Sequence, residues 1–299
     1  MRAIMHRSIA LAFTAVALVA GCQQDKPAWS GKTGTAGEPG AERPMGSRVA
    51  VSGDVEARLA RVEKKLDKIT GFLKQAVRPE LDTKPTYAVP IDPQDPIIGP
   101  ADAKVTIIEA YEFLCPYCNM IAPTMEKLLE AYPNDVRLVP KYLVIHGPPA
   151  LPSGLAMCAA QKQGKAREMQ QALWTAIWPS PQTPDREKAS ADGVTQIAGT
   201  LGMDTAKFRA DLDGPDCSGW MSRSAATLEK FGASGTPAFY VNGRFVGGQD
   251  YEGFKRMVDE EIKKADSAIA GGVKRADFYE QVVVGKGEPQ AKMISPFDD

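Results

Sequence analysis

The chain reads as an α/β protein whose core is interrupted by a block of helices and preceded by a separate amphipathic helix. Three observations predict this. A continuous apolar run, Val105-Thr-Ile-Ile-Glu-Ala110, leads through Phe113-Leu-Cys-Pro-Tyr-Cys118 into Ile121, Met125, Leu128 and Leu129 at helical spacing, as a buried strand does when it feeds a helix. Between roughly 150 and 232 there are helical patterns and no strand signal. Beyond that block, two short apolar runs joined by Asn242-Gly243 read as a β-hairpin.

The chain has 299 residues, enough for one or two domains with appendages, and a net charge of −1, which points away from nucleic acid as a partner. Residues 1–22 read as a targeting segment. Arg2 and Arg7 precede an apolar core from Ile9 to Ala20, and Val19-Ala-Gly-Cys22 resembles the lipobox of bacterial lipoproteins, in which the cysteine becomes the lipidated first residue. Of five cysteines, setting Cys22 aside leaves four, an even number suited to an oxidising compartment. Residues 23–51 are rich in Gly, Pro, Ser and Thr without a hydrophobic period and read as a disordered tether with a reach of about 30 Å.

From 52 to 78 the pattern changes. Val55, Leu59, Val62, Leu66, Ile69 and Leu73 alternate by four and three, the seam of a coiled coil. Leucine at 59, 66 and 73 with β-branched residues at 55, 62 and 69 leans toward more than two strands, so the expectation is a homo-oligomer, trimer or dimer. An amphipathic helix packed on its own domain is the alternative.

Residues 79–149 then carry the first part of the core, including a second strand over Val136–Val144. Helical patterns at 153–163, 165–177, 186–201, 204–212 and 216–231 fill an inserted helical domain, 150–232. Its first and last helices hold Cys158 and Cys217; a bridge between them closes a loop of about 60 residues and stabilises by roughly 4 kcal/mol in the chain-entropy model. Residues 233–268 return to the core with the hairpin and a last helix, and 269–299 form a C-terminal tail.

Chemistry concentrates at Cys115 and Cys118. At a strand-to-helix junction Cys115 meets unpaired backbone N–H groups and the positive end of the helix dipole, which favour thiolate over thiol. Cys118, one turn on, is placed to attack a mixed disulfide at Cys115. A structural zinc would need a second close pair, and the only histidine outside the leader is His146. No metal and no cofactor is expected beyond a redox-active Cys115–Cys118 disulfide.

Cys-Pro-Tyr-Cys at 115–118, with Gly235-Thr-Pro237 after a helical insertion, resembles the DsbA-like branch of the thioredoxin superfamily over residues 86 to 268. The resemblance implies a thioredoxin fold carrying the helical insertion. It implies that Pro237 is cis beside Cys115, that Thr236 pairs with an extended peptide, and that Pro116 and Tyr117 contribute to substrate binding. It further implies a buried acid, Glu109, six residues before Cys115, partnered by the lysine of Lys141-Tyr142. Tyr117 stands where DsbA has histidine, which implies a less oxidising couple, and threonine before the proline is similar to the isomerases DsbC and DsbG. The oligomerisation segment resembles that of the trimeric suppressor-of-copper-sensitivity proteins (ScsC).

The implied activity is disulfide exchange on exported cysteine-containing proteins, as isomerase or oxidase, with a DsbB-like or DsbD-like membrane protein resetting the dithiol. The implied location is the bacterial cell envelope, lipid-anchored and periplasm-facing, with the outer membrane preferred. A tethered chaperone or binding module, or a reductase dedicated to one partner, are the competing readings.

Overall fold

A computed structural model of the chain describes residues 53–76 and 79–295. The leader, Cys22 and the tether fall outside the described residues. The chain divides into two compact units, Met1–Val62 and Glu63–Asp299.

Helix α1, Gly53–Ala76, runs across that division. Asp54 and Glu56 in its first turn and Lys74 in its last complement the helix dipole. All six residues of the seam are exposed, Leu59, Leu66 and Ile69 by 55–56%, and Phe72 by 70%. No helix among the described residues is long and apolar enough to cross a membrane.

The second unit is built on a four-stranded sheet with the order β3-β2-β4-β5: β2 Val105–Tyr111, β3 Val136–Tyr142, β4 Ala238–Val241 and β5 Arg244–Val246. β2 and β3 are parallel and joined through helix α2, Pro116–Ala131; β4 runs antiparallel to β2. The β4–β5 hairpin turns on Asn242 and Gly243, both at positive φ (44° and 78°), as the Asn-Gly pair predicts. A side chain at 243 would meet the Tyr87 carbonyl at 2.3 Å, so glycine is required twice over. Asn242 is itself buried; its amide accepts from Thr106 N and donates to Lys104 O, fastening the hairpin to the start of β2.

Strand alternation sorts the core into two faces. Val105, Ile107, Val136, Leu138, Phe239 and Val241 pack against Met125, Leu128 and Leu129 of α2 and against Phe254 and Val258 of the last helix, α8 (Tyr251–Ala270). Ile108, Ala110, Val139, Ala238 and Tyr240 point the other way, onto Leu228 of α7, Pro215–Lys230, and onto Phe231 just past it. The tail shares this second face. Its turn at Arg275–Asp277 and π-helical segment Tyr279–Val284 place Phe278, Tyr279 and Val283 in the core, and the Tyr279 hydroxyl donates to Val89 O at 2.7 Å. β6, Met293–Ile294, closes a small antiparallel sheet with β1, Glu80–Leu81.

Between β3 and α7 lie α3 Leu151–Gln161, α4 Ala166–Ile177, α5 Ala191–Thr200 and α6 Thr205–Leu212. Ser190 and Asp204 cap α5 and α6, each accepting from the backbone N–H three residues on. The inserted helices form a third cluster that also takes in Tyr111, Phe113, Leu114, Cys115 and Cys118, so the dithiol is seated on the core of the insert. Cys158 and Cys217 form a disulfide that ties α3 to α7 across 59 positions. Replacing both with alanine is expected to cost about 2–4 kcal/mol, the ordinary effect of a long-loop disulfide. Urea denaturation reads this directly, and an unchanged midpoint would show that helix packing alone holds the insert.

Candidate active site

Cys115 is the N-cap of α2, in extended conformation, with Pro116 at the first helical position where its missing N–H costs nothing. The approach to it is a tight turn closed by Cys115 N donating to Glu112 O at 3.1 Å. Cys115 is 1% exposed and Cys118 fully buried, and both are free thiols. Across from them the Thr236–Pro237 peptide is cis, and the Cys115 thiol lies 3.5 Å from the Thr236 carbonyl oxygen. The loop after α7 and the loop after β2 therefore meet at one sulfur atom.

The two sulfurs are electrostatically unequal. The Cys115 pKa is pulled down to about 5, chiefly by a hydrogen bond from the Cys118 thiol, with Thr236 and the backbone N–H groups of Cys118 and Tyr117 adding to it against the cost of burial. Cys118 is pushed far up by burial, by its bond to Cys115 and by the charge of Glu109. A depressed pKa stabilises the reduced form above the value of a free thiol, and this stabilisation is lost as pH falls through about 5. Cys115 is thus both nucleophile and good leaving group; Cys118 moves only with its proton.

Glu109 is 3% exposed on β2, and burial raises its pKa to about 8. The expected partner is not there. Lys141 pairs with Asp95, whose carboxylate also accepts from Trp220 Nε1 at 2.9 Å and Asp92 N at 2.7 Å. The reason is strand parity: Lys141 stands opposite Ala110 in the β2–β3 register, whereas Glu109 stands opposite Pro140 and Phe239, so the two side chains leave opposite faces of the sheet. Asp95 escaped the sequence reading because it lies in a Pro-rich approach segment. The signal was Lys141 in a strand that reads as buried, where a charge demands a buried counter-charge.

Beside the dithiol is a groove of about 460 Å³, bordered by Tyr117, Met120, Ile121, Pro237, Gln249 and Asp250. Tyr117 and Met120 are 67% and 69% exposed and form an apolar edge to it. Of the residues assigned to substrate binding, Tyr117 and Pro237 border this groove, Thr236 faces Cys115, and Pro116 is exposed at the helix start. The insert supports the site from behind. Trp178, at the end of α4, donates its indole N–H to Phe113 O at 2.7 Å, and the Trp174 ring lies 4.6 Å from that of Phe113.

A thioredoxin-type sheet, a polarised Cys-x-x-Cys pair at a helix N-terminus and a cis-proline loop facing it define the chemistry of thiol–disulfide exchange. The chain belongs to the thioredoxin family, whose model, described as "Thioredoxin", matches residues 92–260. It is 31% identical over 160 residues to the Na(+)/H(+) antiporter NhaA of Herminiimonas arsenicoxydans, a match covering 53% of this chain and 24% of that one. The chain thus spans about a quarter of that relative's length. It is 28% identical over 174 residues to the thiol:disulfide interchange protein DsbA of Bordetella parapertussis, covering 56% of this chain and 79% of DsbA. A thioredoxin-like oxidoreductase from Silicibacter pomeroyi DSS-3 superposes with a TM-score of 0.50 at 31% identity, over 57% of this chain and 94% of that structure.

Proposed function

We propose that the chain is a DsbA-like protein thiol–disulfide oxidoreductase of the bacterial envelope, acting on exported cysteine-containing proteins as an isomerase or oxidase. The observation that carries this is the placement of a low-pKa Cys115 sulfur against the Thr236 carbonyl of a cis-proline loop, beside an apolar groove. In oxidation, a client thiolate attacks Cys115 Sγ of the enzyme disulfide, and Cys118 leaves and takes up a proton. A second client thiolate then attacks the client sulfur of the mixed disulfide and expels Cys115 as thiolate. In isomerisation the Cys115 thiolate attacks a client disulfide, forming a mixed disulfide and releasing one client thiolate. A different client thiolate then attacks the client sulfur of the mixed disulfide, forming the new client disulfide and expelling Cys115 as thiolate. The extended peptide would lie along Thr236 with an apolar side chain between Tyr117 and Met120.

In this reading Cys22 carries the lipid anchor, in the outer membrane by preference, and residues 23–51 form the tether. The exposed seam of α1 supports self-association, since an apolar stripe of that length is a cost in water unless covered. Thr236 before the cis proline and an oligomer with several facing dithiols favour isomerase, reset by a DsbD-like membrane protein; an oxidase would be reset by a DsbB-like one.

The test compares the soluble chain from about residue 48 with one starting near residue 80, each given scrambled and fully reduced ribonuclease in a glutathione buffer. The expected result is a trimeric or dimeric longer form that unscrambles and a monomeric shorter form that only oxidises. Two monomers that only oxidise would make this a tethered oxidase.

A further inference from the structure

Glu112 is fully buried, three residues before Cys115, and plays no part in the exchange steps described above. Its carboxylate is gripped from one side. Oε1 accepts from Ile145 N and His146 N, both at 2.9 Å, and Oε2 meets His146 Nδ1. Those donors belong to the segment that leaves β3 and enters the insert. The Glu112 carbonyl receives the Cys115 N–H, so the residue whose side chain is clamped also closes the turn that delivers the nucleophile. The next residue is held as well: Phe113 O accepts from Trp178, and Phe113 N faces the Tyr142 hydroxyl at 3.4 Å. A buried carboxylate that spends its acceptors on two backbone N–H groups and an imidazole is costly unless the geometry it fixes matters, because burial of a charge is repaid only by complete hydrogen bonding.

We propose that Glu112 is a positioning residue for disulfide exchange: by clasping the Ile145–His146 backbone and the His146 ring, it fixes the turn that sets the Cys115 sulfur over the N-terminus of α2. The low pKa of Cys115 depends on aim. The hydrogen bond from the Cys118 thiol, and the lesser ones from Thr236 and the N–H groups of Cys118 and Tyr117, act only at hydrogen-bond range and fall away with small rotations of the cap. Glu112 acts on the sulfur through the backbone rather than by its charge. Its negative charge opposes a thiolate, so a purely electrostatic role would have the opposite sign.

That difference in sign makes the test. Glu112→Gln keeps an acceptor for the two backbone N–H groups but loses the charge, Glu112→Ala loses both, and His146→Ala removes the ring alone. In the reduced full chain, the Cys115 titration is followed by ultraviolet thiolate absorbance, and the dithiol–disulfide equilibrium is measured against glutathione. The expected result is a midpoint near 5 in the parent chain. It rises by about one unit in Glu112→Ala, with the equilibrium shifting about tenfold toward the disulfide, and stays close to the parent in Glu112→Gln. His146→Ala should fall between them. Leu128→Ala, which destabilises the core behind α2 without touching the turn, controls for loss of stability and should leave the midpoint in place.

Equal downward shifts in Glu112→Ala and Glu112→Gln would mean that charge alone matters, and unshifted midpoints would make the clasp merely structural; either overturns the proposal. If Glu112→Ala does not fold, Glu112→Gln and His146→Ala still decide between aim and charge. The inference rests on the disulfide-exchange reading, and the two fail differently. A parent chain whose Cys115 titrates like a free thiol sinks that reading, while a low parent midpoint with unresponsive variants sinks only the role of Glu112.

Discussion

Cys115→Ser should abolish disulfide exchange outright, whereas Cys118→Ser should still react once with a client and then stop, accumulating a covalent complex. The asymmetry follows from the environments of the two sulfurs. Cys115 caps α2, faces the Thr236 carbonyl and has its pKa drawn down to about 5, so it supplies the thiolate that attacks and the leaving group that departs. Serine in its place is a far weaker nucleophile, because its hydroxyl stays protonated where the thiol does not. Cys118 is fully buried with its pKa pushed well up, so it reacts only with the Cys115 sulfur of the mixed disulfide, closing the Cys115–Cys118 disulfide and expelling the client thiolate. Without it the mixed disulfide has no internal escape. Non-reducing electrophoresis with reduced or scrambled ribonuclease reads both outcomes. If Cys118→Ser turned over normally, the client would be resolving its own mixed disulfide, and the chemistry would be that of a one-cysteine isomerase. If Cys115→Ser retained exchange, the assignment of the nucleophile would be wrong.

The parts of this site that sequence made legible are those whose chemistry is local. Cys115 and Cys118 announce themselves by spacing, and the junction that lowers the Cys115 pKa follows from an apolar strand running into a helical period. The Asn242-Gly243 turn is equally local, two residues that tolerate the positive φ the hairpin needs. What sequence did not give is long-range and face-dependent. Lys141 was assigned to Glu109 by resemblance, but a single step of strand parity separates them, and the pairing with Asp95 spans 46 positions. The clamp on Glu112 spans 33 and 34 positions and uses backbone donors, which no residue pattern advertises. The tail is a similar case. Its sequence gives no sign that Phe278, Tyr279 and Val283 complete the core on the α7 face of the sheet, because the residues they pack against are far away in sequence.

Glu109→Gln is expected to slow the step that expels or recruits Cys118 by about a hundredfold near neutral pH, the ordinary worth of a positioned acid or base. Glu109 has no hydrogen-bond or ion-pair partner among the described residues, and burial alone raises its pKa to about 8. Near neutrality it is therefore mostly protonated. As a client thiolate attacks Cys115 and the enzyme disulfide opens, Cys118 would leave as a thiolate in an apolar site, and a neutral carboxylic acid close by can hand it the proton. In the reverse direction the ionised minority of Glu109 can receive it. Glutamine keeps the shape and can do neither. The cost to stability gives an independent reading. An acid with its folded pKa raised above the unfolded value leaves stability intact below the unfolded pKa and removes it as pH rises through the folded one. For Glu109 that window runs from about 4.5 to about 8. The parent should lose stability on the order of 4 kcal/mol across it relative to Glu109→Gln, which has nothing to ionise. Urea denaturation of the oxidised forms at the two ends of the window measures the difference, and stopped-flow mixing with a reduced peptide measures the rate. A stability difference without a rate effect would leave Glu109 a buried acid that the exchange does not use. A rate effect confined to the Cys118 step, together with the stability difference, would place the proton on Glu109.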